Sequence, residues 1–305
     1  MNIFITIIPI FSVITLGWFA RCRGFMPGEF LEPGNRLVFH IAIPAMIFRS
    51  ISKGSLKSNF DINVLAITLV SLILFFFFAL IIGKITHIQK NQFATFLQSS
   101  FHGNLGYIGL AVAYYFLGDQ GLASASILAG FVMILQNFLA VIVLQNYSKQ
   151  ASRKKIGTLL LKIIKNPVIV TAIAGILFSA SGLALPLVIS RSLDILSGLA
   201  LPLALLLIGA SLSFEMMRSR IFPVLYAGIM KLILLPGLGF VLYKFRSIEP
   251  QDYLPGLILL ASPTATIAYV MAKEMGGDSD FASAAISFST LLSLITFSIW
   301  LKLTL

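Results

Sequence analysis

Ser99-Ser100-Phe101-His102-Gly103-Asn104-Leu105-Gly106-Tyr107-Ile108-Gly109-Leu110-Ala111 lies inside an apolar segment, yet it is rich in small and polar residues and has glycines at 103, 106 and 109. A helix that only crosses lipid has no need of such a composition. The stretch reads as a transmembrane helix that breaks. A second stretch, Ala261-Ser262-Pro263-Thr264-Ala265-Thr266, reads as its counterpart.

The composition sets the frame for that reading. Of 305 residues, 58% are hydrophobic and 11% charged, with a mean hydropathy of +0.97. A soluble domain carries about 25% charged residues, so this chain cannot cover a water-facing surface and is an integral membrane protein. The apolar runs are about 17–25 residues long, the helix length that crosses hydrocarbon. They lack the alternation of a membrane β-barrel. Ten spans are predicted, near 2–20, 35–52, 62–85, 93–117, 121–147, 166–181, 189–212, 222–244, 252–273 and 280–302. The start, Met1-Asn2-Ile3-Phe4, has no basic leader and reads as the first span. No soluble domain is expected at either end.

Net charge is +11. On a membrane protein this reads as loop charge that sets orientation, not as a nucleic-acid surface. With ten spans, fourteen basic residues fall on the side of the central loop and seven on the other. The central loop is thus expected in the cytoplasm and both termini outside. That loop, 148–165, carries Lys149, Arg153, Lys154, Lys155, Lys162 and Lys165 among apolar residues, and could lie on the membrane surface as an amphipathic helix. The single cysteine, Cys22, excludes an intrachain disulfide and a multi-cysteine metal site.

The chain also repeats itself. Pro9 and Gly17 recur as Pro167 and Gly175, and Ala42-Ile43-Pro44 recurs as Ala200-Leu201-Pro202, all at an offset of 158. At an offset of 159, seven of sixteen positions in 112–127 match 271–286. The predicted domains are a first five-helix repeat over 1–147, a cytoplasmic linker over 148–165 and a second repeat over 166–305. An odd number of spans per unit forces the second to enter the membrane from the opposite side. Such inverted repeats are common in transporters, with the site at the midplane.

Offset 159 sets Asn104 over Pro263, in the fourth span of each repeat. A broken helix exposes free N–H groups at one half-helix start and free carbonyls at the other end. In hydrocarbon these survive only against protein or a wet cavity. Two crossed breaks would aim half-helix N-termini at one point, which suits an anion. The candidate site is therefore Gly103, Asn104, Gly106, Tyr107, Gly109 and Ala111 from the first break, with Pro263, Thr264 and Thr266 from the second. For the glycines the competing reading is close helix packing; for Asn104 it is a hydrogen bond between helices.

Other candidates lie around these. Pro44 and Pro202 sit mid-span and read as kinks beside the crossing. Lys231 is the one clear intramembrane charge, a functional candidate by default, with snorkelling to an interface as the alternative. His40 and His102 could respond to protons or be structural. Gln136 and Asn137 could join helices or line a cavity. All eleven acids lie in loops or at span ends. No mid-membrane carboxylate can carry a cation or proton as pumps use them, and the paired carboxylates of a membrane hydrolase are missing. The sequence has no metal-ligand spacing, no G-x-S-x-G and no phosphate loop. No cofactor and no metal are expected.

The segments Asn35–Arg49, Gly103–Gly109, Asn166-Pro167, Leu201–Leu212, Lys231-Leu232 and Ser289–Leu292 together resemble the auxin efflux carrier family of bacteria and plants. The likeness covers nearly the whole chain. It implies an all-α, ten-helix secondary carrier, similar to the bile-acid sodium symporters and the inverted-repeat sodium/proton antiporters, with spans 4 and 9 broken and crossed. A scaffold domain of spans 1, 2, 6 and 7 would hold a transport domain of spans 3–5 and 8–10 that moves like an elevator. Bacterial relatives carry malate, malonate or lactate, and plant relatives export auxin. The family's crossover asparagine maps onto Asn104 and its second crossover proline onto Pro263. One position departs: the family's proline after Gly-x-x-Gly is here Ala111, so the first break rests on glycines and packing and is expected to be shallower or displaced. The long hydrophilic central loop of the plant carriers is absent, so phosphorylation control there is not expected.

The expected function is transport of a small organic anion across the cell's inner (plasma) membrane by alternating access. Its partners would be the anion, the lipid bilayer, a proton or sodium as coupling ion and a second copy in a homodimer, with no nucleic acid. A sodium-coupled bile-acid-type symporter is the nearest alternative, with Gln98, Gln136 and Asn137 the only candidates for a cation cage. A membrane receptor or intramembrane enzyme is the alternative from another class, and the lack of a catalytic set argues against the enzyme.

Overall fold

The computed structural model describes residues 3–53, 60–86, 88–148, 165–218 and 221–304. The amphipathic helix expected in the central loop lies outside the described residues.

In chain order the helices are α1 (Ile3–Cys22), α2 (Gly28–Leu37), α3 (Ile43–Lys53), α4 (Ile62–Ile85), α5 (Phe93–Phe101), α6 (Leu110–Tyr147) and α7 (Pro167–Ala180). Then follow α8 (Leu187–Ala210), α9 (Phe214–Arg218), α10 (Ile221–Ile229), α11 (Leu235–Phe245), α12 (Pro250–Ala261), α13 (Ile267–Glu274) and α14 (Ser279–Leu303). Three π turns, Val38–Ala42, Leu105–Gly109 and Met230–Leu234, join α2 to α3, open α6, and join α10 to α11. The first and third end two residues before Pro44 and Pro236. A proline clashes with the carbonyl four residues back, and a widened turn relieves that clash without ending the helix.

Among the described residues, six helical stretches are long and apolar enough to cross a membrane on length and composition alone. These are Ile5–Cys22, Ile62–Ile85, Leu105–Tyr147, Leu187–Ala210, Ile221–Phe245 and Ser279–Leu303. The predicted spans outside this set differ in kind: α7 has 14 residues, the stretches at 93–117 and 252–273 are broken, and 35–52 is helical throughout but carries Arg36, His40 and Arg49. The predicted boundary between spans at 117 and 121 falls at Gly118, where α6 bends through φ 71 and ψ −163. Large apolar side chains such as Ile5, Phe77, Val188, Ile195 and Val241 are exposed. Surfaces of that kind mark a membrane or partner interface.

Among the described residues, four glycines have left-handed φ: Gly24 at 78, Gly118 at 71, Gly182 at 67 and Gly276 at 75. They form two pairs, 24 with 182 and 118 with 276, and both pairs are separated by 158. Each glycine turns the chain after a helical run, where a Cβ would be strained. The spacing is that of the sequence repeat.

The chain divides into two compact units. The first holds 1–62, 106–131 and 164–211. In it α1 packs on α8 and α3 on α7, around Ile7, Ile10, Ile14, Ile43, Ile47, Ala204 and Ile208. Close approach rests on glycine: a Cβ on Gly17 would strike the Leu206 carbonyl, and one on Gly209 the Ile14 carbonyl. Gly175 on α7 does the same against Ile51 of α3, with 3.1 Å to the Ile51 Cβ. Asp194 of α8 accepts hydrogen bonds from Arg49 Nε and, at 3.1 Å, from Lys53 Nζ, pinning α3 to α8. Phe75, Phe96, Phe101, Phe281 and Phe297 form the core of the second unit, 63–105, 132–163 and 212–305.

Two substitutions on α8 separate packing from helix propensity. Gly209→Ala forces a Cβ into the Ile14 backbone and is expected to destabilise by about 1–3 kcal/mol or more. Gly198→Ala meets nothing within 4 Å and is expected to stay within about 1 kcal/mol of the wild type. Thermal unfolding of the two purified variants in detergent checks this, and equal melting temperatures would contradict the close α1–α8 contact.

Candidate functional site

Both predicted breaks are present, and both lie in the second unit. α5 ends at Phe101 and α12 at Ala261. The exposed backbone of one break is paired with that of the other. Gly103 and Thr264 form an antiparallel bridge, in which Asn104 N–H donates to the Pro263 carbonyl at 2.7 Å and Ala265 N–H to the His102 carbonyl at 2.8 Å. In such a pair the two facing residues bond outward, not to each other. Side chains from neighbouring helices take up these outward groups. The Gln136 amide on α6 grips Gly103 at both ends: its Oε1 accepts from Gly103 N–H and its Nε2 donates to the Gly103 carbonyl, each at 3.1 Å. On the other arm Thr264 N–H donates to Ser289 Oγ of α14 at 3.0 Å.

The carbonyls that end each half-helix are covered as well. Thr264 Oγ1 donates to the Ser99 carbonyl of α5 at 3.0 Å. Lys231 Nζ donates to the Leu260 carbonyl of α12 at 2.6 Å. A cation suits a helix C-terminus, because carbonyl dipoles converge there. Lys231 does not snorkel; it is 1% exposed. Its helix is fixed in rotation from behind. Pro236 has no N–H for the Leu232 carbonyl, and Trp300 Nε1 of α14 donates to that oxygen instead, at 2.9 Å. An ideal Cβ on Gly103 would lie 3.3 Å from Lys231 Cε and Nζ, so glycine at 103 leaves the space that the lysine head occupies.

The crossing therefore unites Gly103, Asn104, Pro263 and Thr264, with Lys231, Gln136 and the His102 backbone. Asn104 is buried at 5% exposure. Thr266 precedes α13 and makes no side-chain cap. Gly106, Tyr107, Gly109 and Ala111 belong to the first unit, where Tyr107 OH donates to Asn35 Oδ1 at 3.0 Å. The break lies at His102–Asn104, upstream of the position where the family's proline would stand. Ala111 is the second residue of α6, inside continuous helix. The half-helix opens at Leu105 with the π turn, and the leftover N–H groups belong to that opening turn.

The remaining candidates are spread out. Asn137 Nδ2 bonds its own helix at the Met133 carbonyl, 2.8 Å away. His40 is exposed and places Nδ1 3.0 Å from the Arg36 carbonyl, so that nitrogen carries the proton. Pro44 follows a π turn, and α8 runs unbroken through Pro202, which is exposed. Sequence reasoning left out Ser99 and Thr264–Ser289 pairing. The signals for Ser289 were its place in the family motif Ser289–Leu292 and the run of small polar residues on α14, of which Ser287, Ser289, Thr290 and Ser293 are buried.

A family of membrane transport proteins is recognised over residues 2–301. The chain belongs to that family. The auxin efflux carrier resemblance read from the motifs is thereby borne out. Its relatives span the same length. A transporter of unassigned substrate from Methanocaldococcus jannaschii is 25% identical, covering 96% of each chain. A protein of Rhizobium meliloti, provisionally named as a malonate transporter, is 26% identical over 95% of this chain and 92% of its own. The transporter YfdV of Escherichia coli, also without an assigned substrate, is 24% identical over 97% and 95%. The protein is a multi-pass membrane transporter, and its relatives are named for transport, not for an enzymatic reaction.

Gln136→Met removes both partners of Gly103 while keeping the side-chain length. Leaving a buried backbone N–H and C=O without partners costs about 1–3 kcal/mol each. A fall in melting temperature larger than that of Asn137→Leu, whose amide bonds only its own helix, is the expected outcome. Equal shifts would remove Gln136 from the crossing.

Proposed function

We propose that the protein is a secondary carrier of a small organic anion, working by elevator-type alternating access. The observation that carries this reading is the paired break, in which His102–Asn104 and Pro263–Ala265 hold each other's backbone inside a membrane protein. A transport protein has use for irregular backbone at membrane depth, because half-helix starts there attract an anion and half-helix ends are available for cations. The start of α13, with no side chain capping it at Thr266, and the buried Asn104 are the groups on the second unit assigned to the carboxylate. Malonate, for which the Rhizobium relative is provisionally named, is an anion of the size and charge this reading calls for, as are malate and lactate.

The reading includes ten spans in two inverted five-helix repeats. The 158-residue spacing of the left-handed glycines supports the repeat. So does the exchange of contacts in the first unit, where α1 packs on α8 and α7 on α3 through glycines that are themselves 158 apart, Gly17 and Gly175. Spans 1, 2, 6 and 7 act as scaffold, and the transport domain is built from spans 3–5 and 8–10. The carrier sits in the plasma membrane with the central loop in the cytoplasm and both termini outside, in keeping with the basic-residue bias.

Uptake of labelled malonate, malate and lactate into proteoliposomes tests this. The wild type is expected to transport at least one of them, and Asn104→Ala to transport it at least about tenfold more slowly, the effect of losing roughly 1.4 kcal/mol of binding. Equal rates would take Asn104 out of the site, and no uptake of any of the three would refute the anion reading.

A further inference from the structure

Lys231 is the only lysine, arginine, aspartate or glutamate among the buried side chains of the described residues. It has one hydrogen-bond partner, the Leu260 carbonyl, at 2.6 Å. No carboxylate forms an ion pair with it; the ion pairs among the described residues join Asp194 to Arg49 and Lys53 in the other unit. An ammonium has three N–H donors and a full charge; a neutral amine has two and no charge. With the Leu260 carbonyl as partner, a neutral amine leaves only one N–H unmet. An ammonium would leave two donors unmet and a charge without a counter-ion, away from water, at a penalty of several kcal/mol. That penalty falls when an anion arrives beside the crossing. Taking the anion-carrier reading as its basis, we infer that Lys231 is the coupling residue: its amine is neutral in the empty carrier and takes up one proton as the anion binds, so that anion and proton travel together.

The surroundings leave few rivals for that proton. The elements packed on the Met230–Leu234 turn are α5, α10, α11, α12 and α14. α5 carries no titratable residue. Those of α12 are Asp252 and Tyr253 at its far end, and those of α14 are Asp280 and Lys302 at its two ends. α10 carries Tyr226, which is exposed, and α11 carries Tyr243 and Lys244 at its far end. His102 is the titratable side chain buried at the break itself. Its Nδ1 lies 3.4 Å from Gln98 Nε2. The amides that a sodium cage would draw on are only partly committed. Both ends of Gln136 hold Gly103, and Asn137 Nδ2 donates to the Met133 carbonyl. Gln98 Oε1 is buried without a hydrogen-bond partner among the described residues, so the exchange of potassium for sodium below is the arm that tests a cation there.

The test uses the full-length protein in detergent, in weak buffer with a pH indicator. Potassium malonate, malate or lactate is added, already titrated to the assay pH, and binding is followed in parallel by the melting temperature. The wild type is expected to take up about one proton per anion bound, and its affinity to weaken up to about tenfold per unit rise in pH. Replacing potassium by sodium should change neither. Lys231→Met should bind more weakly, with no proton uptake and a flat pH profile. Lys231→Arg, permanently charged, keeps a donor for Leu260 and covers the case in which the methionine variant does not fold. Any binding by it should also proceed without proton uptake. His102→Gln should retain the uptake.

Anion binding by the wild type with no proton uptake overturns the inference and leaves the carrier reading standing. Uptake that persists in both Lys231 variants, or that disappears with His102→Gln, also overturns it. If none of the three acids raises the wild-type melting temperature, the anion reading itself fails, and this inference with it.

Discussion

Inside hydrocarbon no water is available to satisfy a backbone N–H or C=O, and each one left unpaired costs several kcal/mol. A helix that stops halfway must therefore find partners for the groups it releases. The solution here is a single antiparallel bridge. His102, Gly103 and Asn104 lie against Pro263, Thr264 and Ala265, and two short backbone bonds close the centre. A two-residue sheet has edges, and an open edge is as costly as an open helix end. Gln136 covers one edge with an amide that imitates a neighbouring strand, and Ser289 covers the other with a hydroxyl. The placement of α6 and α14 around the crossing, the glycine at 103 and the polar face of α14 all follow from that one requirement.

The two units meet different demands with the same building material. In the first, glycines at 17, 175 and 209 bring helix backbones into contact, and an Arg49–Asp194–Lys53 cluster ties α3 to α8. Small residues let helices pack closely where the hydrophobic effect gives no drive. In the second, buried hydroxyls and amides gather where the helices are interrupted, and the aromatic core lies around them.

Much of this was legible in the residues. The two breaks announced themselves as glycine, serine and proline within apolar runs, and the repeat offset placed Asn104 against Pro263. The structure joins those same residues through the Asn104 N–H and the Pro263 carbonyl. What stayed hidden has a common cause. A glutamine on a helix reads alike whether it bonds its own helix or reaches another, so Gln136 and Asn137, adjacent in sequence, could not be told apart. Only their angular positions on α6 separate them. The first break was expected within Ser99–Ala111, shallower or displaced for want of a proline at 111. It occurs at His102–Asn104 because the backbone pairing, and not a missing N–H, sets its place. The rotation of Lys231 was equally beyond reach, since it depends on Trp300, 69 residues further along the chain, filling the acceptor that Pro236 leaves open.

The crossing is nearly two-fold in its backbone, but its two arms end differently: a threonine hydroxyl caps the Ser99 carbonyl and a lysine caps the Leu260 carbonyl. That inequality has an electrical meaning. A membrane potential does about 2.3 kcal/mol of work per elementary charge per 100 mV. With an amine that is neutral when empty and cationic when loaded, a monocarboxylate leaves the binding unit at the same net charge in both states, and the potential then has no purchase on the exchange. A dicarboxylate adds one negative charge and is driven by voltage. Substrates of one chemical class would thus be sorted by their sensitivity to the resting potential of the cell, through a single side chain on one side of the crossing.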